Sequence, residues 1–264
     1  MNLPFSVRMK LLRQDFLAAF SINGNKPVRL SPFLGKDGQA EDRCVVIHTD
    51  ERDVHAASPL RWKLYRHGWE ARLDRLAQEY GVGRHVHLTP ESSVLDIGAN
   101  AGEFAFIGAR HGARVLCLEP DPIVRECLRR NVSELQNVSV HGVAAWKETG
   151  LLSFGLAPDR ADSSAFVDGE EKITVAAIRL NDFIEENKIG AISLIKCDAE
   201  GAEPEVLEGL GDAAAKVSVI ALDTGAERNG ERTHDACDKI LKDYGFDVVE
   251  EKVGTRWMTY GIRR

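Results

Sequence analysis

Two acidic residues and two glycines in the middle of the chain have the types and the spacing of a nucleotide-binding site. Asp96 and Gly98 end an apolar run, Gly102 comes four residues later, and Glu119 stands 21 residues after Gly98. Glycines after a strand let the backbone turn tightly and approach a ligand closely. A carboxylate at the end of the next strand can accept hydrogen bonds from both hydroxyls of a ribose. The pattern therefore predicts a ligand that contains a ribose.

The same segment discriminates between two classes of such ligand. The dinucleotide fingerprint G-x-G-x-x-G needs glycines where this chain has Asn100 and Glu103. Glu103 would also place negative charge beside a pyrophosphate, which is unfavourable. S-adenosylmethionine has no phosphate, but it carries a sulfonium, an ammonium and a carboxylate. Asp96 offers an acceptor for its amino-acid end and the Gly98–Gly102 backbone offers donors for its carboxylate, so the segment favours S-adenosylmethionine over NAD.

A regular alternation of strands and helices from residue 92 onward positions these residues. Strands are predicted at Val94–Ile97, Arg114–Leu118, Val138–Val143, Ile192–Cys197 and Val217–Leu222, with helices between most of them. Such alternation implies a parallel sheet covered by helices. Two extra short strands, Leu151–Phe154 and Ile173–Ile178, interrupt it. A final hairpin, Phe246–Glu250 and Trp257–Ile262, makes the last strand antiparallel to its neighbour.

The chain divides into an N-terminal extension, residues 1–88, and a cofactor-binding catalytic domain, residues 89–264. Residues 1 to about 20 have a helical pattern, and residues 21–45 are rich in turn formers and are predicted to be irregular. Cys44–His48 is predicted as a short strand and Leu60–Tyr80 as a helix. The extension is assigned to contacts with the acceptor or with a second copy of the chain.

Composition excludes several classes of function. The net charge is −7 and the pI about 5.7, so the basic footprint of a nucleic-acid-binding protein is absent. No apolar run approaches the roughly 18 residues that a membrane span needs. Five cysteines without a C-x-x-C pair indicate neither a disulfide framework nor a zinc cluster. We expect a cytoplasmic protein with reduced thiols and no membrane span.

Three blocks of this sequence resemble one known family. Val94–Gly102 (VLDIGANAG), Glu119–Asp121 (EPD) and Leu194–Glu203 (LIKCDAEGAE) are similar to motifs of the FkbM-type methyltransferases. The usual form of the last block is close to IKIDVEGAE, and here Cys197 and Ala199 replace its apolar residues. The resemblance covers about residues 90–264, and residues 1–88 match nothing known to us.

The resemblance implies a fold, a methyl donor and a reaction. The fold is the Rossmann-like class I methyltransferase fold, a mostly parallel seven-stranded sheet that ends in an antiparallel hairpin. The donor is S-adenosylmethionine, and the reaction is usually O-methylation of a hydroxyl on a sugar, a glycan or a natural product. The remaining predicted cofactor contacts are Ala99, Asn100, Pro120 and Asp121 in the motifs, Val143 and Ala144 against the adenine, and Ser163 and Ser164 in a serine-rich loop.

Asp198 and Glu200 are the candidate catalytic residues. Both follow the fourth strand, and ligands bind at the carboxyl ends of strands in open parallel sheets. Asp198 is the first choice for the base, although either residue could instead cap the next helix. A second reading has Asp198, Glu200 and Asp223 hold a divalent cation, but we expect no metal. The alternatives at the level of function are an NAD(P)-dependent oxidoreductase and a non-catalytic, cofactor-binding regulatory subunit.

Overall fold

The described part of the chain contains thirteen β-strands. The computed structural model describes residues 28–34, 40–157, 163, 165–166 and 171–263, and the side chains of residues 32–34 and 40–43 are not described. The helix predicted before residue 20 and the predicted contact Ser164 lie outside these residues. The strands are β1 (Arg29–Leu34), β2 (Ala40–His48), β3 (Asp53–Ala56), β4 (Ser93–Ile97), β5 (Arg114–Leu118), β6 (Val138–His141), β7 (Ala144–Trp146), β8 (Gly150–Leu156), β9 (Glu171–Arg179), β10 (Ile192–Cys197), β11 (Val217–Asp223), β12 (Asp247–Val253) and β13 (Arg256–Ile262).

Helices connect most of the strands that follow β3. The α-helices are α1 (Trp69–Glu79), α2 (Glu103–Arg110), α3 (Pro122–Asn131), α4 (Leu180–Glu186), α5 (Glu203–Leu210) and α6 (His234–Asp243). Pro59–Tyr65 and Gly211–Lys216 are 3-10 helices. No helix in the described part of the chain is long and apolar enough to cross a membrane.

The central sheet has seven strands in the order β12-β13-β11-β10-β4-β5-β6. β4, β5, β6, β10 and β11 run parallel, and β13 is antiparallel to both β11 and β12. The predicted fold class is confirmed: this is the mostly parallel sheet with a terminal antiparallel hairpin. Because β10 lies beside β4 and runs parallel to it, the first and the last motif blocks meet at the carboxyl ends of these two strands.

The inner strands β4, β5, β10 and β11 are mostly apolar because the sheet is covered on both faces. Val94 contributes to the core that also contains Trp69 and Phe104, whereas its neighbour Leu95 contributes to the opposite core with Phe183 and Val206. This alternation follows from side chains pointing to opposite faces along a strand. The first core includes the N-terminal extension, so the extension covers one face of the sheet.

The N-terminal extension is more regular than its sequence suggests. The strands β1, β2 and β3 form a three-stranded antiparallel sheet in that order, and the prediction of irregular structure over residues 21–45 is wrong for its described part. Pro32 lies in β1, an edge strand, where a missing N–H is tolerated. The helix predicted over Leu60–Tyr80 is divided at Gly68, whose φ of 95° breaks a helix.

Candidate active site

A cavity of about 350 Å³ opens at the carboxyl ends of β4, β5 and β10. The loops after these strands form its floor, the segment from Leu60 to Leu76 forms one wall, and residues of β7 and β8 with Ser163 form another. The size is in the range of sites that bind small molecules. The parallel sheet therefore provides a site where open α/β sheets bind ligands.

The glycine loop after β4 is held tightly by its own hydrogen bonds. Gly98 has a φ of 66°, and a Cβ there would lie 2.0 Å from the carbonyl oxygen of Asp198, so only glycine fits. The N–H groups of Gly98 and Ala99 donate to Leu118 O, that of Asn100 to Glu119, and that of Gly102 to Ala99 O. The prediction that this backbone donates to the carboxylate of the cofactor is therefore wrong for these four amides.

Glu119 is the acidic residue at the end of β5, and its carboxylate lines the cavity. One oxygen accepts the N–H of Asn100 and the other accepts the N–H of Asp121, both at 3.0 Å. Burial raises the pKa of Glu119 to about 7, although the two hydrogen bonds from backbone amides act to lower it. Each carboxylate oxygen has two lone pairs, so each retains one for a ribose hydroxyl. The residues present fit the ribose of S-adenosylmethionine.

Asp96 lies behind the cavity rather than on its surface. Its side chain is fully buried, and one carboxylate oxygen is 3.0 Å from Lys196 Nζ. Lys196 also donates to the carbonyl oxygens of Ile97 and Gly98, at 3.1 and 2.7 Å. Asp96 thus holds the lysine that fixes the glycine loop, and the structure does not place it where it could contact the amino-acid end of the cofactor as predicted.

The other predicted cofactor contacts are placed as follows. Residues that line the cavity are Gly98, Ala99, Asn100, Pro120, Asp121, Val143, Ala144 and Ser163. Gly102 does not line it; a Cβ there would meet Leu128 at 2.6 Å, so this glycine serves the packing of α2 on α3. The Asp121 carboxylate accepts the N–H groups of Ile123 and Val124 and caps α3.

Asp198 lines the cavity beside the glycine loop. Its Oδ2 accepts a hydrogen bond from Tyr80 OH at 2.8 Å and one from Arg256 Nη1 at 2.8 Å. Its Oδ1 is buried and has no partner among the described residues. Burial would raise the pKa of Asp198, but the charges of Arg256 and Lys196 outweigh it and hold the pKa well below the usual range. Asp198 is therefore a charged acceptor and a weak base.

Glu200 lines the same cavity from a strained position, with a φ of 51°. The turn around it is held by Glu203, which is completely buried at the start of α5. One oxygen of Glu203 accepts the N–H groups of Ala199 and Gly201, and the other accepts Thr233 Oγ1. Burial raises the pKa of Glu203 to about 7. Glu203 is thus the brace of the loop that carries Asp198.

A cluster of carboxylates lies next to Asp198. Single oxygens of Asp198, Asp223 and Glu227 lie within 4.8 Å of one another, and Glu200 is not among them. Arg256 Nη1 is 2.7 Å from Asp223 and 2.8 Å from Asp198, so a guanidinium already supplies positive charge there. Burial and the neighbouring charge of Asp198 raise the pKa of Asp223 to about 6 and that of Glu227 to about 9.

Sequence reasoning missed most of the positive charge at the cavity. Besides Lys196 of the last motif block, five cationic side chains line it: Arg61, Lys63, Arg72, Arg75 and Arg256. The first four lie in the segment where the sequence was interpreted only through its apolar helical face, and Arg72 and Arg75 are three residues apart on α1. That spacing could have revealed a cationic face of the helix, because residues three apart on a helix are neighbours. No feature of the sequence links Arg256 to the site, since it is far from Asp198 in the sequence.

A row of hydrogen-bonded polar side chains lies away from the cavity, on the N-terminal sheet formed by β1, β2 and β3. Ser31 Oγ is 2.8 Å from His48 Nε2, and His48 Nδ1 is 2.7 Å from Asp53 Oδ1. The order Ser-His-Asp resembles a nucleophile with its base. However, the Asp53 side chain is 60% exposed and none of the three residues lines the cavity. These side-chain hydrogen bonds connect β1, β2 and β3 across the N-terminal sheet.

The strand order, with a cavity at the carboxyl ends of β4, β5 and β10, is that of a class I, S-adenosylmethionine-dependent methyltransferase. Residues 96–248 match the family model of the methyltransferase FkbM domain. The chain belongs to the FkbM methyltransferase family. This assignment removes the NAD(P)-dependent oxidoreductase that the sequence left as an alternative.

Three curated relatives illustrate the family. The chain is 30% identical to the 31-O-demethyl-FK506 methyltransferase FkbM of Streptomyces tacrolimicus, over 72% of this chain and 83% of that protein. It is 29% identical to the 2-O-methyltransferase NoeI of Sinorhizobium fredii, over 50% of this chain and 62% of that protein. It is 32% identical to the AMB antimetabolite synthetase AmbE of Pseudomonas aeruginosa, over 62% of this chain but only 10% of AmbE. The chain thus spans less than two thirds of NoeI and of AmbE.

Proposed function

We propose that the protein transfers the methyl group of S-adenosylmethionine to a hydroxyl oxygen of a small molecule, either a sugar or glycan or another natural product. The observation that carries this proposal is the state of Asp198. Asp198 lines the cavity; one of its oxygens is fixed by Tyr80 and Arg256, and the other is buried and has no partner among the described residues. A buried acceptor without a donor is costly, and the hydroxyl of an acceptor molecule would supply the donor.

The bound donor supplies an electrophilic methyl group on a sulfonium. As the hydroxyl oxygen forms its bond to the methyl carbon, the carbon–sulfur bond breaks and its electron pair stays on sulfur. The hydroxyl proton becomes acidic only as the new bond forms, so a weak base such as Asp198 suffices to accept it. Asp198 would also orient the oxygen in line with the methyl group. The walls formed by Leu60–Leu76 and by β7 and β8 would keep water out of the site.

Glu200 has the second role in this proposal. It lines the cavity two residues after Asp198, and its backbone is held by the brace that Glu203 provides. We assign to Glu200 a contact with the acceptor rather than the methyl-transfer step. The names of two relatives support an oxygen acceptor, since FkbM and NoeI are described as a 31-O-demethyl-FK506 methyltransferase and a 2-O-methyltransferase.

A turnover assay with a panel of acceptors tests the proposal. Purified protein, S-adenosylmethionine and hydroxyl-bearing sugars, uronic acids and macrolides should release S-adenosylhomocysteine with at least one acceptor. NMR of the product should place the new methyl on oxygen, and Asp198→Asn should abolish most of the release. Methylation of nitrogen or carbon alone would contradict the proposal. Binding of S-adenosylhomocysteine without turnover on any acceptor would favour the regulatory subunit instead.

A further inference from the structure

Two arginines of the N-terminal extension face the cavity near the start of α2, and their charge is only partly balanced. Arg61 lies in the 3-10 helix and Arg72 in α1, and both line the cavity. The nearest carboxylate is Glu103, the first residue of α2, which is buried and lines the cavity with them. Two cations and one anion leave an excess of one positive charge.

Neither arginine is saturated by Glu103. Arg72 Nε is 3.5 Å from Glu103 Oε1 and Arg61 Nη2 is 3.8 Å from the same atom, which is too far for a good hydrogen bond. Tyr65 OH takes the close position on that oxygen, at 2.9 Å. The Nε atoms of both arginines are buried and have no hydrogen-bond acceptor among the described residues. Arg72 is only 9% exposed. Buried donors without acceptors call for an explanation.

The negative charge of Glu103 is balanced by the two arginines beside it. Burial would raise the pKa of Glu103, but Arg72 and Arg61 outweigh it and lower the pKa. From the sequence alone, Glu103 is a bare negative charge that repels an anionic ligand. The structure corrects this, because the group of Arg61, Arg72 and Glu103 is positive as a whole. An anion is therefore attracted to this position.

The glycine loop supplies a reason for an anion to be there. The N–H groups of Gly98, Ala99, Asn100 and Gly102 are engaged within the protein, so these four do not serve as free donors for the carboxylate of S-adenosylmethionine. The loop leads directly into Glu103, which places the two arginines next to the end of the donor site that Glu119 does not occupy. Arginine matches a carboxylate in geometry, since its planar guanidinium can donate two parallel hydrogen bonds.

We propose that Arg61 and Arg72 bind the carboxylate of the methyl donor, so that the N-terminal extension completes the cofactor site. The proposal rests on the family's donor, but it does not depend on which atom of the acceptor is methylated. Glu103 and Tyr65 position the two arginines in this arrangement. The extension, to which the sequence assigned contacts with the acceptor or another copy, then serves the donor as well.

Calorimetry with two ligands tests this directly, and it needs neither an acceptor nor turnover. S-Adenosylhomocysteine has the carboxylate, whereas 5′-methylthioadenosine is the same adenosine thioether without the amino-acid part. Arg72→Gln and Arg61→Gln should each weaken S-adenosylhomocysteine binding about ten- to a hundredfold, the usual effect of losing a charged hydrogen bond. Binding of 5′-methylthioadenosine should stay within about twofold of wild type. Arg72→Lys, which keeps the charge but not the fork, should recover part of the loss.

Control variants separate the proposed role from a structural one. Arg72→Gln leaves Glu103 with less compensation, so the double variant Arg72→Gln/Glu103→Gln removes both charges and should keep the fold, while still binding S-adenosylhomocysteine weakly. Arg110→Gln removes a half-exposed arginine that pairs with Glu70 on the surface, and both ligands should bind as in wild type. Equal loss of both ligands would overturn the proposal, as would unchanged S-adenosylhomocysteine binding. Unchanged binding together with a raised KM for an acidic acceptor would transfer the arginines to the acceptor.

Discussion

The two ends of the cavity that we propose for the donor and for the acceptor are assembled in different ways. At the donor end, the part assigned to the ribose comes from one short stretch of chain, in which the glycine loop after β4 and Glu119 after β5 are joined by a hydrogen bond from Asn100. The acceptor end gathers Tyr80, Asp198 and Arg256, of which the first two are 118 positions apart and the last two 58 positions apart. The ribose part of the donor end is a local motif, whereas the acceptor end exists only when three distant segments pack together.

The two ends also differ in how their charge is balanced. At the donor end, the carboxylate of Glu119 accepts hydrogen bonds from two backbone amides, and burial raises its pKa to about 7. At the acceptor end the guanidinium of Arg256 holds Asp198 charged, and the pKa of Asp198 is lowered in spite of burial. A change at either end should therefore affect one ligand and spare the other. The following predictions test that separation, from the largest effect to the smallest.

Removing the acceptor-end carboxylate should have the largest effect. We expect Asp198→Ala to lower kcat about a hundredfold or more, because a positioned acceptor and base typically contributes that much. Affinity for S-adenosylhomocysteine should be retained, since Glu119 and the glycine loop remain. The measurements are initial rates of S-adenosylhomocysteine release and calorimetry on the same preparation. Asp53→Ala, which removes an exposed carboxylate of the N-terminal sheet, is the matched control. A parallel loss of turnover and cofactor affinity would show that the two ends are not separate.

The donor end is also where the sequence was most informative. Strands β5 and β10 begin and end as predicted, and Glu119 and Gly98 lie at the cavity, because a glycine turn and a strand-end carboxylate are fixed by neighbours in sequence. Asp96 was misplaced for a reason that local pattern cannot reveal. Its partner Lys196 comes from β10, which hydrogen-bonds to β4 across the sheet.

The acceptor end was only partly predictable. Asp198 was found because it follows a strand, but Tyr80 and Arg256 were missed, since nothing local links their positions to it. The N-terminal sheet was missed for a related reason. β1 and β2 pair with each other, and the turn formers of the sequence did not reveal this pairing; Pro32, one of them, lies within β1. Both the acceptor end and the N-terminal sheet depend on contacts between segments that no local sequence pattern predicts.

The second prediction removes the donor-end carboxylate. Glu119→Ala should weaken S-adenosylhomocysteine binding by about 1–3 kcal/mol, the cost of losing a charged hydrogen-bond acceptor for the ribose. At saturating S-adenosylmethionine, the KM for the acceptor should not change, because Asp198 and Arg256 are untouched. Calorimetry and acceptor titrations measure the two quantities. Unchanged cofactor affinity would remove the ribose assignment.

The third prediction uses pH to separate two buried carboxylates, one at each end. Burial raises the pKa of both Glu119 and Glu203 to about 7. Only the charged form of Glu119 accepts hydrogen bonds well from both ribose hydroxyls, so binding is strong above this pKa and weakens as the pH falls through it. Affinity for S-adenosylhomocysteine should drop about tenfold from pH 8 to pH 6.

Substitutions assign this pH dependence to one of the two residues. Glu119→Gln should bind weakly and almost independently of pH. Glu203→Gln, which alters the brace of the acceptor loop, should keep the pH dependence of cofactor binding. If the dependence vanishes in Glu203→Gln and persists in Glu119→Gln, the loop that carries Asp198 controls the donor end, and the comparison between the two ends fails.

The smallest effect is expected from Lys63, a cation that lines the same cavity as Arg61 and Arg72 but is exposed. Water and salt screen an exposed charge, so Lys63→Gln should change S-adenosylhomocysteine affinity by no more than about twofold, and that change should vanish as salt is raised. The loss in Arg72→Gln should persist in high salt, because Arg72 is buried beside Glu103. Calorimetry of both variants at low and high salt makes the comparison. Equal, salt-sensitive losses would mean that the cavity attracts the donor through its overall positive field and that no particular pair of arginines binds the carboxylate.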